Sequence, residues 1–149
     1  MNIHDYLIAP SGINWTRLLQ DWTPPLPSGV TVWLVNRFGD VVVVSPQGTV
    51  HRLDVTAGTY TEIARSREHF AQLLDVAGNA EAWLRVALVD ACRKAGTNLS
   101  PGQCYGFKVP PTLGGKYEVA NIVPTALDTH YSFQAYVCKQ TDIYWIPGG

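Results

Sequence analysis

TVWLVNRFGDVVVVSPQGTVHRLDVTAGTYTEIARS, residues 31–66, is the stretch on which the fold turns. It holds four runs rich in β-branched and aromatic residues, a composition that suits a pleated, half-buried surface. FGD at 38–40, PQG at 46–48 and TAG at 56–58 separate the runs, each with a glycine where a tight turn calls for positive φ. Four short strands in an antiparallel meander are therefore expected. Val41, Val42, Val43 and Val44 do not alternate with polar residues, which predicts a strand covered on both faces. In the third run Val50, Arg52 and Asp54 alternate with His51, Leu53 and Val55, and neither set is uniformly apolar. That run is expected near a sheet edge.

Upstream, Asn14 precedes WTRLLQDW (15–22), where Trp15, Leu18, Leu19 and Trp22 recur at helical spacing and asparagine can cap the first turn. The prolines of TPPLPSG (23–29) stop this helix, because they lack an amide donor and push the preceding residue towards extended geometry. Downstream, the period changes at Ser66, the predicted cap of a helix with Phe70, Leu73, Leu74 and Ala77 on one face and Gly78 after it. Asn79 is then expected to cap one continuous helix, AEAWLRVALVDACRKAG (80–96). Its adjoining stripes, Trp83, Ala87, Ala91 and Leu84, Leu88, Cys92, predict the central helix, packed against the sheet. QCYGFK (103–108) and KYEVANIVP (116–124) read as the strands of a hairpin across a loop at 110–115. ALDTHYSFQAYVCKQ (126–140) reads as a last helix capped by Asp128 or Thr129, and the tail TDIYWIPGG (141–149) is expected to lie against the body. The fold class is α+β: an antiparallel four-stranded meander with a smaller C-terminal hairpin and helices packed on one face, in a single unit over residues 1–149.

The 149 residues are 46% hydrophobic and only 15% charged, so either the core is large or part of the surface is meant to be covered by a partner. A net charge of −1 lacks the basic field that direct nucleic-acid binding requires. MNIHDYLIAP, with Asp5 and no basic run before an apolar segment, is not a secretory signal, and no apolar stretch approaches the roughly 20 residues that span a bilayer. A cytoplasmic location and no membrane contact are expected. Cys92, Cys104 and Cys138 are odd in number and without C-x-x-C spacing, which argues against a disulfide framework or a zinc knuckle.

Catalysis has one candidate: Cys104 as nucleophile with His130 as its base, since a thiol needs an imidazole in reach to act near neutral pH. The competing reading buries Cys104 in a strand and places His130 in a helical turn. His4, His51, His69 and His130 are not within helical reach of one another, so no metal site is expected. LGGK (113–116) resembles a phosphate loop only in its glycines and lysine; Lys116 is followed by Tyr117 and Glu118, not by Ser or Thr at a helix start. A hairpin connection accounts for it better. The acids are scattered, and neither a catalytic pair nor a cofactor is expected.

GQCYGFKVPPTLGGKYEVANIVPTALDTHYSFQ, 102–134, resembles the C-terminal domain family of type VI secretion immunity proteins of the Tdi type. The likeness lies in the Cys-Tyr-Gly-Phe turn, the Leu-Gly-Gly-x-Tyr hairpin, the Asn before a short apolar strand and the helix beginning near a His. The arrangement of residues 1–65 is similar to the GAD-like modules that often precede this domain, and the whole is similar to the SUKH class of immunity folds. The resemblance divides the unit into an N-terminal sheet module, 1–65, and an immunity module, 66–149. It implies a non-enzymatic protein that binds and neutralises a cognate toxin by occlusion, a nuclease being one candidate target. Cys104, Tyr105, Gly106, Phe107, Gly114, Gly115, Tyr117 and Asn121 map onto the family motif. Most are expected to be architecture, whereas Tyr117 and Glu118 are the expected partner contacts. A cysteine-dependent hydrolase or transferase and a housekeeping protein-binding adaptor are the alternatives, and a homodimer through exposed rings is left open.

Overall fold

The structure, a computed structural model, describes residues 1–22 and 26–140. The four expected strands form as β2 (Thr31–Asn36), β3 (Val41–Val44), β4 (Val50–Asp54) and β5 (Thr59–Ala64), preceded by a two-residue β1 (Leu7–Ile8) that the sequence did not signal. All five pair antiparallel in the order β1-β2-β3-β4-β5. The α+β class is as expected, with one more strand.

Every residue of β3 is buried, as its unbroken valine run predicts. Val41 and Val43 share a core with Leu53, Leu19, Trp22 and Tyr131, whereas Val42 and Val44 meet Val50, Ala64 and Phe70. The first face is covered by α1 (Trp15–Leu18) and α5 (Leu127–Gln140), and the second by α2 (Arg67–Leu74). Helical cover thus extends beyond the single face expected. Asn14 and Ser66 cap α1 and α2 as their side chains predict, accepting from the amides of Arg17 and His69.

β4 is an interior strand, not an edge strand. Its broken alternation has another cause, a buried polar cluster. Asp40, in the turn after β2, accepts hydrogen bonds from the Val55 amide (3.1 Å), Asn36 Nδ2 (2.9 Å) and Arg52 Nη2 (2.8 Å). Arg52 Nη1 lies 3.3 Å from Asp54, whose other oxygen accepts from the amides of Thr56 and Ala57. Paired and hydrogen-bonded charges can occupy interior positions that unpaired ones cannot.

The expected 80–96 helix is two helices, α3 (Asn79–Leu84) and α4 (Val86–Lys94), divided at Arg85. The residue ahead of α3 is Gly78 and makes no side-chain cap; Asn79 is already helical and donates to the Leu73 carbonyl instead. α4 is not the central helix, for Ala87 and Ala91 are exposed and only Val89 and Cys92 are buried. The central helix is α5, which buries Leu127, His130, Tyr131, Gln134, Ala135, Val137 and Cys138. It starts at Leu127, ahead of both expected caps, with the Leu127 amide donating to the Gly102 carbonyl. The tail at 141–149 lies outside the described residues.

β6 (Gln103–Phe107) and β7 (Ile122–Ala126) make the expected hairpin, in register from Gln103 opposite Ala126 to Phe107 opposite Ile122. The second strand begins at Ile122 rather than Lys116 because residues 116–121 fold back into a 3-10 turn, Val119–Asn121. This half is joined to the sheet through the FGD turn. His130 Nε2 donates to the Phe38 carbonyl (3.0 Å), the Tyr131 hydroxyl donates to the Gly39 carbonyl (2.7 Å), and the Tyr105 amide donates to the Arg37 carbonyl (2.7 Å). Gly39, at φ +88°, has a backbone that other residues rarely adopt, and an added Cβ would press on His130, 3.0 Å from its Cδ2.

Candidate partner-binding groove

The residues of the C-terminal motif divide between interior and surface. Cys104 is fully buried among Val43, Leu53 and Tyr131, and burial pushes its thiol far above the usual range, with Asp40 adding to the effect. His130 is equally buried, and loss of solvent pushes its pKa down to about 4. A thiol that resists ionisation and an imidazole engaged with a backbone carbonyl make a poor nucleophile and base.

Tyr105 is buried with its hydroxyl on the Thr97 carbonyl (2.7 Å), and Phe107 packs on Phe38 with ring centroids 5.9 Å apart. Gly106 faces Thr125, whose Oγ1 would lie 2.5 Å from an added Cβ. Gly114, at φ +94°, closes the 3-10 turn of Pro111–Leu113, and a side chain on Gly115 would collide with the Val109 carbonyl. Asn121 knots the connection: its Oδ1 accepts from the Val109 amide, and its Nδ2 donates to the carbonyls of Val109 and Lys116, each at 2.9 Å. These bonds hold residues 116–119 beside α4.

Between that segment and the α3–α4 pair lies an open groove of about 740 Å³. Gly78, Ala82, Ala87 and Ala91 keep it wide, Leu88 and Val119 make it apolar, and Glu81, Arg85, Tyr117 and Glu118 bring its polar groups. Ala87, Leu88 and Ala91, half of the apolar stripes expected to mark a core helix, form one wall of this groove.

Arg85 is the residue that sequence reasoning missed. It has φ 51°, and among the described residues no other non-glycine has positive φ. Left-handed backbone costs an L-residue roughly 1–2 kcal/mol, and here the break turns the guanidinium inward. It lies 4.3 Å from the Tyr117 ring centroid, 5.8 Å from that of Phe38, and 3.7 Å from Asp54. The other side of the break is held by Glu81, whose carboxylate accepts from the Ala87 amide at the start of α4. No local signal marks the break, because Arg is a good helix former and the contacts that hold it come from residues 38, 54 and 117.

Tyr117 is 44% exposed, with its edge against Phe107 at a centroid distance of 5.3 Å. Burial raises its phenol pKa, and the neighbouring Arg85 opposes the rise. Glu118 is exposed, and its side chain does not cap the 3-10 turn that follows it. The two expected partner contacts therefore stand side by side on the groove's rim.

Among the described residues the groove's polar side chains are Glu81, Arg85, Tyr117 and Glu118. Among the described residues no group of three metal-ligating side chains converges, and no helix is long and apolar enough to cross a membrane. The fold and site are those of a small α+β protein with an open groove of mixed apolar and charged lining. Residues 64–136 match the family described as T6SS immunity protein Tdi1, C-terminal, so the resemblance read from residues 102–134 is shown and reaches back through α2. The chain is also similar to a crystal structure of Atu4351 from Agrobacterium tumefaciens. The two are 16% identical with a TM-score of 0.47, over 80% of this chain and 60% of that one, and a likeness of this size carries no argument about function. No curated protein matches the sequence.

Proposed function

We propose that this protein is an immunity protein that neutralises a cognate type VI toxin in the cytoplasm by binding and occluding it, without catalysis. The observation that carries the reading is the family match over residues 64–136, which implies type VI secretion immunity. The groove is consistent with it, because Tyr117 and Glu118 stand exposed beside an apolar trough. Aromatic residues commonly anchor interfaces, and occlusion asks for nothing more than a complementary surface. Residues 1–65 act in this reading as a GAD-like module, supporting the FGD turn against α5. Direct nucleic-acid binding is not part of the reading, given the net charge of −1.

Co-expression with a candidate type VI toxin, scored by cell survival, is the test. Wild-type protein is expected to protect, and Cys104→Ser is expected to protect equally whenever it accumulates to the same level. Loss of protection by a folded, abundant Cys104→Ser protein would replace occlusion with thiol chemistry.

A further inference from the structure

From the charges around the groove we infer that its occupant is a cationic side chain, Lys or Arg, of the toxin, carried next to an apolar residue. The inference rests on the immunity reading and specifies the partner chemistry of the same face.

Behind the groove, Asp40 and Asp54 are matched by Arg52 and Arg85, two charges of each sign joined by contacts of 2.8, 3.3 and 3.7 Å. That cluster is neutral as a whole. Arg85 is the groove's own cation, and its guanidinium is drawn inward by Asp54 and covered by the Tyr117 ring. Two carboxylates remain uncompensated by a cation, Glu81 and Glu118, both exposed and both in the groove lining. Glu81 accepts the Ala87 amide at the start of α4, whereas among the described residues no hydrogen bond or ion pair engages the Glu118 carboxylate. A chain with net charge −1 thus gathers two acids on one apolar trough.

The shape agrees with the charge. Ala82, Ala87 and Ala91 leave depth between the walls, and the trough of about 740 Å³ is large enough for more than one side chain. An apolar residue would lie on Leu88 and Val119, and the stem of a neighbouring Lys or Arg would cross Tyr117 to reach Glu118. An acidic occupant would meet both carboxylates while the cation of the described lining, Arg85, is already engaged by Asp54, and like charges facing each other suppress binding. Local negative charge also answers an objection raised by overall composition: a nearly neutral protein can still oppose a basic toxin surface where its acids are concentrated.

The test uses the full chain and the purified domain of the same candidate toxin, with affinity measured by titration at two salt concentrations and each variant's fold checked by circular dichroism. Glu118→Lys is expected to weaken binding at least tenfold, Glu118→Gln less, and Glu62→Lys, on exposed β5 outside the groove, not at all. Wild-type affinity should fall with salt more steeply than that of Glu118→Gln. Ala91→Trp, which fills the trough from an exposed position, should also weaken binding at least tenfold. Glu118 is exposed, so its variants remain informative even where Ala91→Trp does not fold. If wild type protects and binds while the Glu118 variants and Ala91→Trp bind as well as it does, the groove is not the site and the immunity reading stands. If Ala91→Trp weakens binding and Glu118→Lys leaves it unchanged or tightens it, the site is correct and the cationic occupant is overturned. If wild type itself neither binds nor protects, the immunity reading falls and this inference falls with it.

Discussion

α4 and α5 begin from similar sequence patterns and end in opposite places. Both carry apolar residues at helical spacing, and α4, with Val86, Ala87, Leu88, Val89 and Ala91, looks the more apolar of the two. Yet α5 buries His130, Tyr131 and Gln134 in the centre of the molecule, while α4 leaves Ala87 and Ala91 in solvent as a groove wall. Periodicity says which face of a helix is apolar; it does not say what covers that face. What separates the two is where their long-range bonds go: α5 supplies Tyr131 and His130 to the carbonyls of Gly39 and Phe38 in the turn between β2 and β3, whereas α4 bonds the N-terminal segment, through Asp90 to the Tyr6 hydroxyl and through Arg93 to the Asp5 carbonyl.

The contrast breaks most visibly at Tyr131. Replacing this fully buried ring by alanine, Tyr131→Ala, empties the core between α5 and β3 and releases the Gly39 carbonyl. The expected loss is about 3–5 kcal/mol, read from the midpoint of urea unfolding, enough to unfold a marginally stable domain. A loss below about 1 kcal/mol would mean that α5 is not the central helix.

Acid sharpens the contrast. Burial lowers the folded-state pKa of His130 from its ordinary 6.5 to about 4, so between those values the unfolded chain binds a proton that the folded chain refuses. Stability from this group is therefore complete above pH 6.5 and lost as pH falls towards 4, by about 3 kcal/mol in total. Unfolding free energy measured across that window should decline, and His130→Leu should flatten the decline while lowering stability near neutral pH through the orphaned Phe38 carbonyl. An unchanged acid profile in that variant would assign the effect to other groups.

The smallest expected effect is on α4. Ala87→Ser at an exposed groove position should change stability by no more than about 0.5 kcal/mol, and a thermal melt distinguishable from wild type by more than that would contradict an open wall. Together the three variants set the buried helix against the exposed one on a single scale.

Much of the sheet was readable because its signals are local. The valine run of β3, the glycine turns and the caps Asn14 and Ser66 each act through neighbours a few residues away. The errors fell where distant residues intervened. β4 looked like an edge because His51, Arg52 and Asp54 interrupt its alternation; Asp40, twelve residues before Arg52, makes the burial of Arg52 and Asp54 tolerable, and His51 is held by Thr49 and the Tyr60 ring. The second strand of the C-terminal hairpin was placed too early because Asn121 folds 116–121 back onto Val109. Tyr117 and Glu118 were legible as exposed candidates, but Glu81, Arg85, Leu88, Ala87 and Ala91, which complete the groove with them, looked like parts of an ordinary helix.

Composition and local pattern were enough to determine an α+β chain with a glycine-turned meander and free thiols rather than a disulfide framework, while the C-terminal motif carried the resemblance to the Tdi type. Tertiary structure alone decided that the 80–96 helix breaks at Arg85, that α5 rather than α4 takes the centre, and that a groove opens beside Tyr117. The reason is energetic scale: capping and turn preferences act within a few residues, whereas the left-handed Arg85 is held by Asp54, Phe38 and Tyr117, partners that the chain brings together only on folding.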